Sequence, residues 1–229
     1  MQSSDIDNAQ VHDLLQIDPK TITDLSAPYW VKQELRSCPW VVVRRAEAPS
    51  GEIAVGVRGN TRSERWGGFF AKKWITKIVR PAELLIMTHS SAFMRRAPAI
   101  RVLPELVDKW CDLALPWGPT GSVGFELATG RRVTTDFSDL DITIRAPSRI
   151  TVEQALWLWQ RAMNLQPRVD IRVETPACGF SLPEYACTSP TRTRILLRYP
   201  DGATLGNDPW GTDREKNEPE QSKPTAVTQ

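Results

Sequence analysis

The chain has 229 residues, 41% apolar and 24% charged, and a net charge of only +2. That length suffices for one large or two small domains, and the composition is that of an ordinary globular protein. No apolar run approaches the roughly 18–20 residues of a membrane span, and Met1-Gln2-Ser3-Ser4-Asp5 lacks the basic-then-apolar order of a secretory signal, so no membrane role and a cytoplasmic setting are expected. Cys38, Cys111, Cys178 and Cys187 show no Cys-x-x-Cys spacing and there are two histidines, so buried free thiols in a reducing compartment are expected rather than zinc.

The charge is unevenly spread. Arg36 to Arg101 holds 13 Lys and Arg against 4 Glu, a net +9, and the remainder carries 16 basic and 23 acidic residues, a net −7. A basic region of this kind can steer an acidic protein or a polyphosphate.

In chain order, residues up to about 35 are mixed. His12 to Ile17 opens a strand or a helix, and Pro19 and Pro28 mark a loop-like stretch. His12 itself is read as structural. Val41 to Arg45 and Ile53 to Val57 are two strands joined through Ala48-Pro49-Ser50-Gly51, a hairpin. A polar segment, Arg58 to Trp66, follows. Arg58, Arg62 and Arg65 there, with Arg44 of the first strand, either grip phosphates in bidentate fashion or form a solvated basic face. Pro81 to Met87 is a short helix or strand, and Ala97 to Pro104 is read as a domain join.

Leu103, Leu106, Val107, Trp110, Leu113 and Ala114 recur at helical spacing, with Trp110 as core. Next comes Gly118-Pro119-Thr120-Gly121-Ser122-Val123-Gly124-Phe125-Glu126, a glycine-rich turn leading into a short helix over Val123 to Ala128. Such a turn lets backbone N–H groups approach phosphate oxygens, and the helix N-terminus favours anions. In Ser138-Asp139-Leu140-Asp141-Ile142-Thr143-Ile144 the two aspartates alternate with apolar residues at the head of a strand. Both carboxylates then leave one face, placed to share Mg²⁺ ions on a polyphosphate.

Thr151 and Gln154 spell a capping box, and Val152, Ala155, Leu156, Trp159 and Met163 form the core stripe of the helix it starts. Arg168 to Glu174 alternates as a strand, with Val169, Ile171 and Val173 inward. Asp170 on its other face is either a third metal ligand or the partner of a nearby arginine. Phe180 to Ala186 is a short helix, Thr193 to Tyr199 a strand and Pro200-Asp201-Gly202 a turn. From Gly211 the apolar residues vanish and a disordered tail is expected.

At Gly121-Ser122 and Asp139-x-Asp141 the chain resembles the nucleotidyltransferase superfamily typified by DNA polymerase beta. The 16 residues between Ser122 and Asp139 are a few more than that superfamily usually shows. Over nearly the whole chain it resembles the malonate decarboxylase holo-acyl-carrier-protein synthase family, also called phosphoribosyl-dephospho-CoA transferase. The matching segments include His12-Asp13-Leu14-Leu15, Val42 to Arg45, Val55 to Gly59, Trp117 to Glu126, Ser138 to Asp141, Val169-Asp170-Ile171 and Asp208-Pro209-Trp210.

The expected fold is α+β: a small basic N-terminal α/β domain with a hairpin at 11–92, a nucleotidyltransferase-type mixed sheet flanked by helices at 93–212, and the tail from 213. The resemblance implies an Mg²⁺-dependent nucleotidyltransferase. It would move 2′-(5″-triphosphoribosyl)-3′-dephospho-CoA onto a serine of the malonate decarboxylase acyl carrier protein and release pyrophosphate. It implies Asp139 and Asp141 as catalytic metal ligands, Asp170 as an accessory one, and Gly121, Ser122, Arg58 and Arg62 as substrate contacts. A nucleotidyltransferase with another hydroxyl acceptor, or a non-catalytic carrier-protein or CoA-binding module, are the alternatives. Nucleic acid is not expected, since the chain is too small for template-holding domains.

Overall fold

The computed structural model describes residues 6–23, 25–59, 61, 64–89, 97–189 and 194–211. The boundary expected at residues 92 and 93, Arg62, and the tail from residue 213 lie outside them.

The strands of the first half are short and β-branched. β1 (Leu14–Ile17), β2 (Trp40–Val43), β3 (Glu52–Arg58), β4 (Arg65–Ala71) and β5 (Ile75–Val79) form a five-stranded sheet in the order β4-β3-β2-β1-β5, every pair antiparallel. The hairpin over Ala48 to Gly51 is the expected one. β4 and β5 escaped the sequence reading because Gly67 and Gly68 look like a turn and β5 carries Thr76 and Lys77 in its middle. One face, with Val41, Val43, Val55 and Phe70, buries itself against Val31 and Leu35 of α1 (Tyr29–Ser37). The loop-like reading of this stretch gives way here. Pro28 immediately precedes the helix and Pro19 opens a 3-10 turn, so both prolines start helical turns.

The second half holds six strands, β6 (Trp117–Pro119), β7 (Leu140–Arg145), β8 (Val169–Glu174), β9 (Gly179–Ser181), β10 (Ile195–Tyr199) and β11 (Gly202–Gly206), in the order β11-β10-β9-β8-β7-β6. Only β7 and β8 run parallel, because α5 (Val152–Ala162) carries the chain back between them. The helices α2 (Pro98–Arg101), α3 (Leu103–Lys109), α4 (Gly121–Thr129) and α6 (Leu182–Ala186) complete an α+β fold of one antiparallel and one mixed sheet.

Several local expectations shift. Ala99, Ile100 and Leu103 are fully buried, so the segment read as a domain join is packed helix instead. α3 stops at Lys109, yet Trp110 is core as expected, its indole N–H donating to the Leu158 carbonyl at 3.2 Å. The capping box at Thr151 and Gln154 forms, but α5 buries Ala155, Leu158 and Ala162 while Met163 is 51% exposed. Phe180 to Ala186 divides into β9 and α6, and β10 continues through its turn into β11 as a hairpin. Trp210 packs edge-on against Phe180 and Tyr185, giving Asp208-Pro209-Trp210 a structural role. Among the described residues no helix is long and apolar enough to cross a membrane.

The two sheets are joined by charge as well as by apolar contact. Asp13, fully buried before β1, accepts from Arg145 Nη2 at the end of β7, 2.5 Å away. Glu174, at the end of β8, takes His12 Nε2 at 3.0 Å and is ion-paired with Arg45. Glu34 of α1 holds Arg131 in a two-pronged pair whose Nη2–Oε2 arm is 3.2 Å. Removing one member of a buried pair strands the other charge. Asp13→Ala should therefore cost about 3–5 kcal/mol in urea unfolding, and the double variant Asp13→Leu/Arg145→Met should regain most of it. A single variant as stable as the parent would show this seam to be idle.

Candidate active site

Alternation along β7 sends Leu140, Ile142 and Ile144 into the core and Asp141, Thr143 and Arg145 to the opposite face. Asp139 stands exposed just before the strand. The parallel register sets Asp141 directly beside Asp170, roughly 4.8 Å away across the ladder. Asp170 is also the partner of a nearby arginine, the second of its two expected roles, with Arg168 Nη2 2.8 Å from its carboxylate in an exposed pair. Among the described residues, no set of three or more His, Cys, Asp or Glu side chains is gathered to hold a metal ion, so the three aspartates do not form a closed cage. The donor set they offer is all oxygen, the kind a hard cation takes.

Gly121 explains why the turn contains glycine. Its φ is +56°, and a Cβ there would collide with Asp141 Oδ2. Only glycine lets α4 begin directly against that carboxylate. The Thr120 N–H also donates to the Asp141 carbonyl at 2.8 Å, which ties the turn to the strand. No side chain caps α4 and no acid occupies its first turn, so its leading N–H groups are open to an anion.

Burial pushes the Asp141 carboxyl above its ordinary range. Asp170 and Asp139 add to the effect, while Arg172 and His12 oppose it. The carboxylates repel one another in a half-buried place, which favours an added positive charge.

A cavity of about 350 Å³ opens between the sheets. Its floor is a single cross-strand row of the first sheet, Gly56, Val42, Leu14 and Val79, set by the pairings β3–β2, β2–β1 and β1–β5. Pro119, Thr120, Gly121, Ser122 and Phe125 line the opposite wall, and Arg58, Arg131 and His12 are among the other lining residues. The cavity therefore brings Arg58 together with Gly121 and Ser122. Arg62 lies outside the described residues.

Two residues of the site were not read from the sequence as functional. His12 has φ +74°, lines the cavity and has its pKa lowered to about 4 by burial, then by Arg45, so the imidazole is neutral. The Asp141 carboxylate works in the opposite direction but does not outweigh them. Glu126, 2% exposed, accepts at Oε2 from the N–H groups of Val133 and Thr134, both at 3.0 Å, and from Thr134 Oγ1 at 2.6 Å. It thereby pins the long connector between α4 and β7 and holds Arg131, Arg132 and Val133 at the cavity. The available signal was a lone acid in an apolar helix.

Residues 10–81 match the family model described as phosphoribosyl-dephospho-CoA transferase MdcG N-terminal domain, and residues 85–209 match the corresponding C-terminal domain. The chain belongs to the phosphoribosyl-dephospho-CoA transferase family. It is 39% identical over 202 residues to the phosphoribosyl-dephospho-CoA transferase of Azotobacter vinelandii, covering 88% of this chain and 94% of that one. With the Pseudomonas aeruginosa protein of the same name it shares 38% over 199 residues, 87% of this chain and 92% of the other. The Klebsiella pneumoniae relative, again so named, is 36% identical over 203 residues, covering 87% and 95%. No solved structure matches the chain. The two transferase-family matches meet between residues 81 and 85, where the cavity takes Pro81 and Leu84 from the connecting 3-10 turn.

Because the folded pKa of Asp141 lies above the unfolded value of 3.8, the folded chain holds the extra proton and loses stability as pH rises past that point. Asp141→Asn should thus raise the melting temperature of the metal-free chain at pH 7, with the gain shrinking as pH falls toward 4. A variant that melts lower than the parent at pH 7 would contradict the repulsion assigned here. Glu126→Ala leaves three donors without their acceptor and should cost about 3 kcal/mol in chemical denaturation.

Proposed function

We propose that the chain transfers the 2′-(5″-triphosphoribosyl)-3′-dephospho-CoA group to a serine of the malonate decarboxylase apo-acyl carrier protein. The observation that carries this is the contact of Gly121, at the uncapped start of α4, with Asp141 beneath it. It places anion-binding N–H groups beside paired carboxylates at the edge of a ligand-sized cavity. Membership of the phosphoribosyl-dephospho-CoA transferase family supports the donor.

In this reading the serine hydroxyl attacks the α-phosphorus of the triphosphate. The new O–P bond forms as the bond to the bridging oxygen of the β-phosphate breaks, pyrophosphate departs and the hydroxyl proton passes to solvent. Asp139 and Asp141, with Asp170 beside them, would hold Mg²⁺, which when bound neutralises the charge developing on the phosphoryl oxygens. The all-oxygen donor set, the mutual repulsion at Asp141 and the space that Gly121 leaves against Oδ2 suit such an ion. Ser122 and the leading N–H groups of α4 bind the departing phosphates. Arg58, with Arg62, contacts the rest of the donor. Most of the rate enhancement then comes from orientation and charge compensation rather than from covalent work by the protein. Cys38 and Cys178 are the expected buried free thiols, whereas Cys111 and Cys187 are free but exposed.

The test is transfer of a labelled prosthetic group from the triphosphoribosyl precursor to purified apo carrier protein in the presence of Mg²⁺. Label should appear on the carrier serine with one pyrophosphate per transfer. Asp139→Asn, which alters charge at nearly constant shape on an exposed residue, should fold normally and slow transfer by roughly 10²–10³. A near-parental rate in that variant would remove Asp139 from the mechanism, and no labelling by the parent chain would sink the assignment.

A further inference from the structure

The β3–β4 hairpin has an electrostatic arrangement that its own fold does not explain. Arg58 and Arg65 are directly opposed in register, and like charges so placed destabilise a sheet. The neighbouring pair on the same face is Gly56 and Gly67, two positions along each strand. Arg44 lies across both. A Cβ at Gly56 would come within 3.1 Å of its Cδ, and one at Gly67 would collide with its guanidinium. The paired glycines therefore clear a channel that holds Arg44 flat against the sheet, on the face carrying Arg58 and Arg65. None of the three forms an ion pair with a carboxylate of another described residue.

Three guanidinium groups brought to one face without counter-charge call for an anion with several acceptor oxygens. Arginine's planar fork suits phosphate better than a single carboxylate. This face also adjoins the cavity, since Gly67 pairs with Gly56, and the row Gly56–Val42–Leu14–Val79 is the cavity floor, with Arg58 among the lining residues. The same cavity is lined by Arg58 of this hairpin, by the aromatic side chains Trp40 and Phe125, and by Gly121 and Ser122 at the open start of α4.

A donor with adenosine in its middle offers groups of the matching kinds. In triphosphoribosyl-dephospho-CoA the adenosine carries the reacting triphosphate through its 2′-linked ribose. It carries a second, unreactive diphosphate at its 5′ oxygen, leading to pantetheine. We propose, building on the donor assigned above, that Arg44, Arg58 and Arg65 form a subsite for this unreactive 5′-diphosphate, with the adenosine in the cavity and the reacting triphosphate at Gly121 and Ser122. The subsite selects dephospho-CoA from simple nucleoside triphosphates, because those have no second diphosphate to place there.

Calorimetric titration of the full chain with dephospho-CoA, adenosine and inorganic tripolyphosphate tests this. The parent should bind dephospho-CoA more tightly than adenosine. Arg44→Gln, Arg58→Gln and Arg65→Gln should each weaken dephospho-CoA binding by about 10-fold or more, while leaving tripolyphosphate affinity unchanged and without lowering the melting temperature. The subsite is overturned if the variants keep dephospho-CoA affinity, if they lose tripolyphosphate equally, or if they lose only the acidic carrier protein. Any of these results in a chain that still transfers label leaves the assigned reaction intact. A parent chain that neither transfers label nor binds dephospho-CoA brings down both.

Discussion

The buried pair of Asp13 and Arg145 is the constraint on which the arrangement rests. Neither charge is tolerable in the interior alone, and each belongs to a different sheet. Their meeting therefore fixes how the antiparallel sheet sits on the mixed one. The adjoining His12–Glu174–Arg45 cluster and the Glu34–Arg131 pair extend that specification along the seam. The cavity is the space left between the two sheets, and a slip of the seam would separate its floor from the wall that carries Gly121.

Within that frame the site is held in electrostatic tension. Parallel pairing of β7 and β8 forces Asp141 and Asp170 side by side, and Gly121 presses a helix start against the same carboxylate. The structure accepts the cost at Asp141 because the surrounding sheet, with Leu140, Ile142, Ile144 and Val173 buried, over-determines the backbone there. Glu126 stabilises the opposite side, converting a long connector into a fixed edge of the cavity through three donated hydrogen bonds.

The basic hairpin repeats the pattern with opposite sign. Gly56 and Gly67 forgo packing so that Arg44 can lie flat, and Arg58 faces Arg65 without a carboxylate between them among the described residues. Carboxylates gather beside the start of α4 and guanidinium groups along the hairpin, with the apolar floor of the cavity belonging to the sheet that carries the hairpin. The +9 stretch of the sequence acquires a location through this geometry rather than through its net value.

By itself, the sequence determined what depends on near neighbours. The period of two in β7 and β8, the Thr151–Gln154 box, the glycine turn before a helix and the burial of Trp110 all follow from side-chain spacing along one element. Local pattern failed at β4, where Gly67 clears room for Arg44, and at β5, where the exposed Thr76 and Lys77 interrupt the apolar alternation. It also failed for α1, hidden behind prolines that mark a helix start as readily as a loop. Only the tertiary structure decided the register that seats Asp141 beside Asp170, the pairing of Asp13 with Arg145, the neutral state of His12 and the anchoring role of Glu126. Each of these joins residues distant in the chain, and their energies arise from burial and charge meeting in space, which spacing along one strand or helix does not encode.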